Sequence, residues 1–120
     1  MKILIVEDEP FNITVLEEMI YIFYPDTEIK SASNGQIAYE MLQEEAFDLI
    51  LSDISMPVMD GYELISKVKQ ELELATPAIA VTAFAVTGDK EKILLAGFDD
   101  YLSKPIDMTL LEEVLKKYQV

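Results

Sequence analysis

A doubly wound α/β sandwich, a parallel sheet with helices on both faces, is the fold class this sequence predicts, on three observations. Three short apolar runs, Ile3-Leu4-Ile5-Val6, Asp48-Leu49-Ile50-Leu51-Ser52 and Ala78-Ile79-Ala80-Val81, are continuous rather than alternating, as strands buried on both faces are. Segments between the strand candidates carry apolar residues at three- and four-residue spacing, the period of a helix with one buried face. Strand and helix signals alternate five times along the chain, which implies a layered α/β sheet with crossover helices.

In chain order, Ile3–Val6 is the first strand. Pro10 suits an early helical position, and Phe11, Val15, Met19, Ile22 and Phe23 mark the helix after it. The Tyr24-Pro25-Asp26 turn leads into Glu28-Ile29-Lys30-Ser31-Ala32, whose alternation reads as a strand nearer an edge. Ser33-Asn34-Gly35 opens a second helix through Ile37, Met41 and Leu42. After the run ending at Ser52, Asp60-Gly61 forms a cap and turn before Tyr62, Leu64, Ile65 and Val68. A fourth helix runs from Lys90 to Ala96 and is stopped by Gly97. Tyr101-Leu102 is the last strand, and Leu110, Leu111, Val114 and Leu115 stripe the last helix. Methionines and aromatics at helical spacing are read as core. Residues 1–120 read as one domain, with no repeat, linker or output domain.

Composition narrows the chemistry. Lys plus Arg number 9 against 23 Asp plus Glu, a net charge of −14. Such a surface repels nucleic-acid phosphates and anionic lipid and attracts cations. Hydrophobic residues make up 51% of the chain, enough for a core without disulfides. There is no cysteine, which removes thiol catalysis and zinc thiolates, and no histidine, which removes imidazole acid–base chemistry. No signal peptide or membrane span is legible, so a soluble, cytoplasmic protein is expected.

Ligands of open parallel sheets bind beyond the carboxyl ends of the strands. The residues there are Glu7-Asp8, Asp53, Thr82 and Lys104-Pro105. Clustered carboxylates repel unless a cation joins them, and hard oxygen ligands suit Mg²⁺, which is commonly shared with phosphate. Asp53 can then act both as metal ligand and as nucleophile toward phosphorus. Lys104 would neutralise charge on the phosphoryl group, and the Thr82 hydroxyl would hydrogen-bond one of its oxygens. With no histidine among these residues, a phosphohistidine donor is expected to come from another protein.

Across essentially its whole length the chain resembles the receiver domains of two-component response regulators. The resemblance rests on Val6-Glu7-Asp8-Glu9, Asp53-Ile54-Ser55-Met56-Pro57-Val58-Met59-Asp60-Gly61, Val81-Thr82-Ala83 and Asp100-Tyr101-Leu102-Ser103-Lys104-Pro105. It implies a flavodoxin-like five-stranded sheet of order 2-1-3-4-5 and phosphotransfer to Asp53 from a histidine kinase or histidine phosphotransfer protein. It further implies Asp8 and Asp53 as direct Mg²⁺ ligands, Glu7 acting through water and Ser55 giving its backbone carbonyl. Thr82 and Lys104 would hold the phosphoryl group, with a cis Lys104-Pro105 bond directing the lysine. Glu7 departs from the commoner Asp at the first acidic position. Segments such as Asp8-Glu9-Pro10-Phe11-Asn12 look most like receivers that work with hybrid histidine kinases.

A switch follows as an expectation. Thr82 would move toward the phosphoryl group and let Tyr101 turn inward, remodelling the face of the fourth helix, fifth strand and fifth helix for a downstream protein. Ser55 and Phe84 would flank the attacking water, with Phe84 shielding the acyl phosphate. Two alternatives share the fold: a phosphate-independent interaction module and a flavodoxin-like electron carrier. The acidic Glu7-Asp8-Glu9-Pro10 turn is hostile to a flavin phosphate, and the complete acidic set argues against the interaction module.

Overall fold

The computed structural model describes residues 1–83 and 89–118. Five strands, β1 (Lys2–Val6), β2 (Glu28–Ala32), β3 (Leu49–Ser52), β4 (Ala78–Thr82) and β5 (Asp100–Ser103), alternate with five helices. The helices are α1 (Pro10–Phe23), α2 (Gly35–Glu44), α3 (Gly61–Gln70), α4 (Asp89–Ala96) and α5 (Met108–Lys117). The strands form one sheet of order β2-β1-β3-β4-β5, every neighbouring pair parallel. The order reverses at β1 and β3, so the crevice between their carboxyl ends is the natural ligand site.

Alternate residues of the continuous apolar runs go to opposite faces, because successive strand side chains do. Leu4, Val6, Ile50, Ala78 and Ala80 pack under α2, α3 and α4 with Leu42, Leu64, Ile65, Val68 and Ile93. Ile3, Ile5, Leu49, Leu51, Ile79 and Val81 pack under α1 and α5 with Leu16, Ile20, Leu111, Val114 and Leu115. β2, at the edge, buries little besides Ala32.

Side-chain caps fix the starts of α2, α3 and α5. Asn34 accepts the Ile37 N–H at 2.9 Å, Asp60 the Glu63 N–H at 2.8 Å, and Asp107 the N–H groups of Thr109 and Leu110. Helix α1 has no side-chain cap and begins with Pro10, which lacks the N–H that a cap would satisfy. Gly97 ends α4 at φ +121°, a left-handed conformation open chiefly to glycine.

The buried stripe of α1 differs from the expected one. Phe11 is 75% exposed, Ile22 68% and Val15 36%, whereas Leu16 and Ile20 are buried. The helix is apolar around much of its circumference. Leu16 and Ile20, flanked by Ile13 and Phe23, face the sheet; Phe11, Val15 and Ile22 form a second stripe turned away from it. Ile37, Leu110 and Tyr21 are also exposed rather than core. In α4 only Ile93 is buried, with Leu94 and Leu95 facing out. The same spacing fits either face, and only the position of the sheet chooses between them.

The connection from β3 to α3 is held tightly. The Gly61 N–H donates to the Ile54 carbonyl at 2.8 Å, and the Gly35 N–H to the Met59 carbonyl at 3.1 Å. Val58, at φ +69°, turns the chain sharply enough for the Met59 N–H to reach the Pro57 carbonyl at 2.8 Å, a conformation costly for a β-branched residue. A Cβ at Gly61 would press on the Asp53 carbonyl and lie 2.8 Å from Ile54 Cα. Replacing Gly61 with Ala should therefore destabilise the protein by about 1–3 kcal/mol, the usual cost of overpacking, read as a lower urea midpoint.

Candidate functional site

The carboxyl ends of β1 and β3 lie side by side because Val6 pairs with Ser52. The Asp53 N–H continues the ladder to the Val6 carbonyl at 2.8 Å, and the Glu7 N–H to the Ala32 carbonyl at 3.0 Å. Backbone pairing thus delivers Glu7, Asp8 and Asp53 to one edge. Each offers a carboxylate oxygen, and these oxygens lie within 4.8 Å of one another.

Lys104 enters from the far side. It follows β5, and its N–H donates to the Thr82 carbonyl at 3.0 Å, continuing the β4–β5 pairing. The Lys104-Pro105 peptide bond is cis, as expected. Lys104 Nζ donates to Glu7 Oε2 and to Asp53 Oδ2, each at 2.9 Å. Glu7 and Asp53 are both buried. Burial pulls the Lys104 ammonium down, but its bonds to Asp53 and Glu7 and their negative charge outweigh that, leaving its pKa raised. Burial pushes the Glu7 carboxyl up; Lys104 opposes this while the Asp53 charge adds to it, and the net direction is upward.

Asp53 Oδ1 accepts the Ile54 N–H at 2.7 Å. Glu7 Oε1 accepts the Glu9 N–H at 3.3 Å and the Asn12 side-chain amide at 3.4 Å. Thr82 is fully buried at the end of β4. Ser55 is exposed in the loop after Asp53. Tyr101 is half-buried, packed against the core beneath α2–α4, with Lys90 Nζ 5.5 Å from its ring centroid. It pairs with Ala80, two residues before Thr82, so Tyr101 and Thr82 share one face of the sheet. Phe84 lies outside the described residues.

The predicted set thus divides into two parts. Glu7, Asp8, Asp53 and Lys104 converge on one point; Thr82 stands at the same sheet edge, and Tyr101 lies further along its face. Asn12 and the Ile54 N–H join the site without having been singled out. Asn12 is five residues beyond Glu7, in the first turn of α1, a spacing that brings a helix-start side chain back over the preceding strand end.

A cavity of about 470 Å³ opens beside this cluster. Glu7, Asn12, Asp53 and Lys104 line its polar part; Phe11 and Val15 of α1 and Ile106 after β5 contribute apolar wall. The three carboxylates carry more charge than Lys104 cancels, and their hard oxygens and spacing fit a Mg²⁺ ion that keeps part of its water shell.

Comparison with known proteins accords with this geometry. Residues 3–116 match the family model for the response regulator receiver domain. The sensor histidine kinase RcsC of Salmonella typhimurium is 37% identical over 118 residues. That alignment takes in 98% of this chain but only 12% of RcsC, so the chain spans about an eighth of such relatives. The receiver domain of sensor histidine kinase PA1611 from Pseudomonas aeruginosa PAO1, solved with magnesium coordinated in its active-site cleft, superimposes with a TM-score of 0.86. It is 36% identical, covering 98% of this chain and 95% of that one. A chain from the Saccharomyces cerevisiae co-crystal of the phosphotransfer protein Ypd1 with the receiver domain of Ssk1 gives 0.85 at 28% identity, covering 98% and 88%.

The raised Glu7 pKa has a measurable consequence. The folded state holds the proton on Glu7 more tightly than the unfolded chain, so this stabilising contribution is complete below pH 4.5 and is lost as pH rises through the folded value. Without divalent cations, the native protein should lose stability relative to Glu7→Gln as pH climbs through that window, followed by urea unfolding at a series of pH values.

Proposed function

The chain belongs to the response regulator receiver family of two-component phosphorelays, and we propose that Asp53 is its phosphoryl acceptor. On this reading residues 1–120 act as a single receiver domain. The observation that carries it is the convergence of Glu7, Asp8 and Asp53 within 4.8 Å, with Lys104 Nζ bonded to both Glu7 and Asp53. Asp8 and Asp53 would ligate Mg²⁺ directly, Glu7 would act through water, and the Ser55 carbonyl would complete the protein's share. When bound, Mg²⁺ neutralises charge on the phosphoryl oxygens.

An oxygen of the Asp53 carboxylate attacks phosphorus as the P–N bond of a donor phosphohistidine breaks. A P–O bond forms, and the departing imidazole takes its proton from solvent. Lys104 balances the negative charge of the transferring group. The Ile54 N–H, held on Asp53 Oδ1 at 2.7 Å, fixes the carboxylate's orientation. Thr82 supplies a hydroxyl to a phosphoryl oxygen. The donor is a histidine kinase or histidine phosphotransfer protein. An apolar surface for it lies beside the acceptor: Phe11 and Val15 are exposed and line the cavity that Asp53 and Lys104 also line.

Output runs through Thr82 and Tyr101. Drawing Thr82 to the phosphoryl group frees space on the face it shares with Tyr101, and the ring turns inward. The neighbouring helix is lightly anchored. Only Ile93 of α4 is buried, and Lys90 and Lys92 lie against the rings of Tyr101 and Tyr62. An element with so little buried surface is the one to shift, carrying the exposed Leu94 and Leu95 with it as part of a downstream partner's surface.

Incubation with acetyl phosphate and Mg²⁺ should add one phosphoryl group at Asp53, seen by mass spectrometry. Asp53→Asn or chelation of the metal should abolish it; an unmodified native protein would leave only the interaction-module reading. In Tyr101→Ala, beryllofluoride with Mg²⁺ should still perturb Asp53. The accompanying NMR shift changes in α4 and α5 should shrink, and undiminished changes there would remove Tyr101 from the switch.

A further inference from the structure

We infer that Asn12 is a positioning residue for the metal site, acting through Glu7; the inference rests on the reading of Glu7, Asp8 and Asp53 as the Mg²⁺ site. Glu7 stands between two claims. Lys104 Nζ holds Oε2 at 2.9 Å, while the Glu9 N–H and the Asn12 amide hold Oε1 at 3.3 and 3.4 Å. Both Oε1 donors lie at the start of α1, and Asn12 is the one that is a side chain. These two longer bonds draw Oε1 toward the helix start while Oε2 stays on the ammonium.

The chemistry at this position is restrictive. A lysine or arginine would cancel the charge that attracts a divalent cation, and an aspartate would repel Glu7. An apolar side chain would offer Oε1 no donor beyond the backbone. A carboxamide donates a hydrogen bond and leaves the charge intact. Without it, Glu7 can swing both oxygens onto Lys104, tightening an ion pair that competes with the metal. Partners that orient a metal's direct ligands typically change affinity about 10–100-fold when removed; Asn12, acting on a residue that reaches the metal through water, belongs at the low end of that range.

Asn12→Ala tests this cleanly, because alanine favours the helix more than asparagine does and so should not unfold α1. Mg²⁺ affinity is measured by NMR titration of the purified protein without any phosphodonor. Asn12→Ala should bind about tenfold more weakly with an unchanged or higher urea midpoint. In a Glu7→Gln background the same substitution should change affinity by less than about twofold, since its route is gone. Native-like affinity in Asn12→Ala, or an equal loss in both backgrounds, overturns the inference while leaving the metal site standing. Failure of the native protein itself to bind Mg²⁺ overturns the site and the inference together.

Discussion

Glu7 and Asp53 directly follow adjacent parallel strands, so the pairing that builds the sheet also forces their carboxylates together. Repulsion between them has to be met by positive charge, and Lys104 meets part of it from beyond β5, two strands away from β3. That one ammonium joins β1, β3 and β5 across the end of the sheet. Its cost is the desolvation of a cation and two buried anions, which only good geometry repays. Asp8 is left outside the pairing, and the surplus negative charge is what a divalent cation would neutralise.

Around this point the chain after Asp53 is closely hydrogen-bonded, whereas α4 buries little. The chain after Asp53 is clamped by the Ile54–Gly61 and Gly35–Met59 hydrogen bonds, with a sharp turn at Val58. That clamp ties down the backbone that carries Asp53. Further along the same face, Ile93 is the buried residue of α4, Ala96 packs partly against the core, and Lys90 and Lys92 lie against Tyr101 and Tyr62.

The acidic cluster was legible because a parallel sheet obliges the residues after its strands to share an edge, and Glu7, Asp8, Asp53, Thr82 and Lys104 each follow or end a strand. Asn12 was not, since its part depends on how α1 starts relative to β1, and one amide in a helix's first turn carries no pattern. The face that α1 buries was misread for a related reason. Leu16 with Ile20 and Phe11 with Val15 are both four residues apart, so spacing alone does not distinguish the core from the exposed stripe.

The sequence by itself determined the alternation of strands and helices, the doubly wound class, most helix stops and starts, and the carboxylates, hydroxyl and amine available for chemistry. These are local, set by period, caps and the residues that follow each run. The tertiary structure alone decided that Lys104 bridges Glu7 and Asp53, that Asn12 reaches Glu7, and that Phe11 and Val15 stand open beside Asp53. Each of these needs residues from different elements to be placed within a few ångströms, and only packing of the helices against the finished sheet fixes such distances.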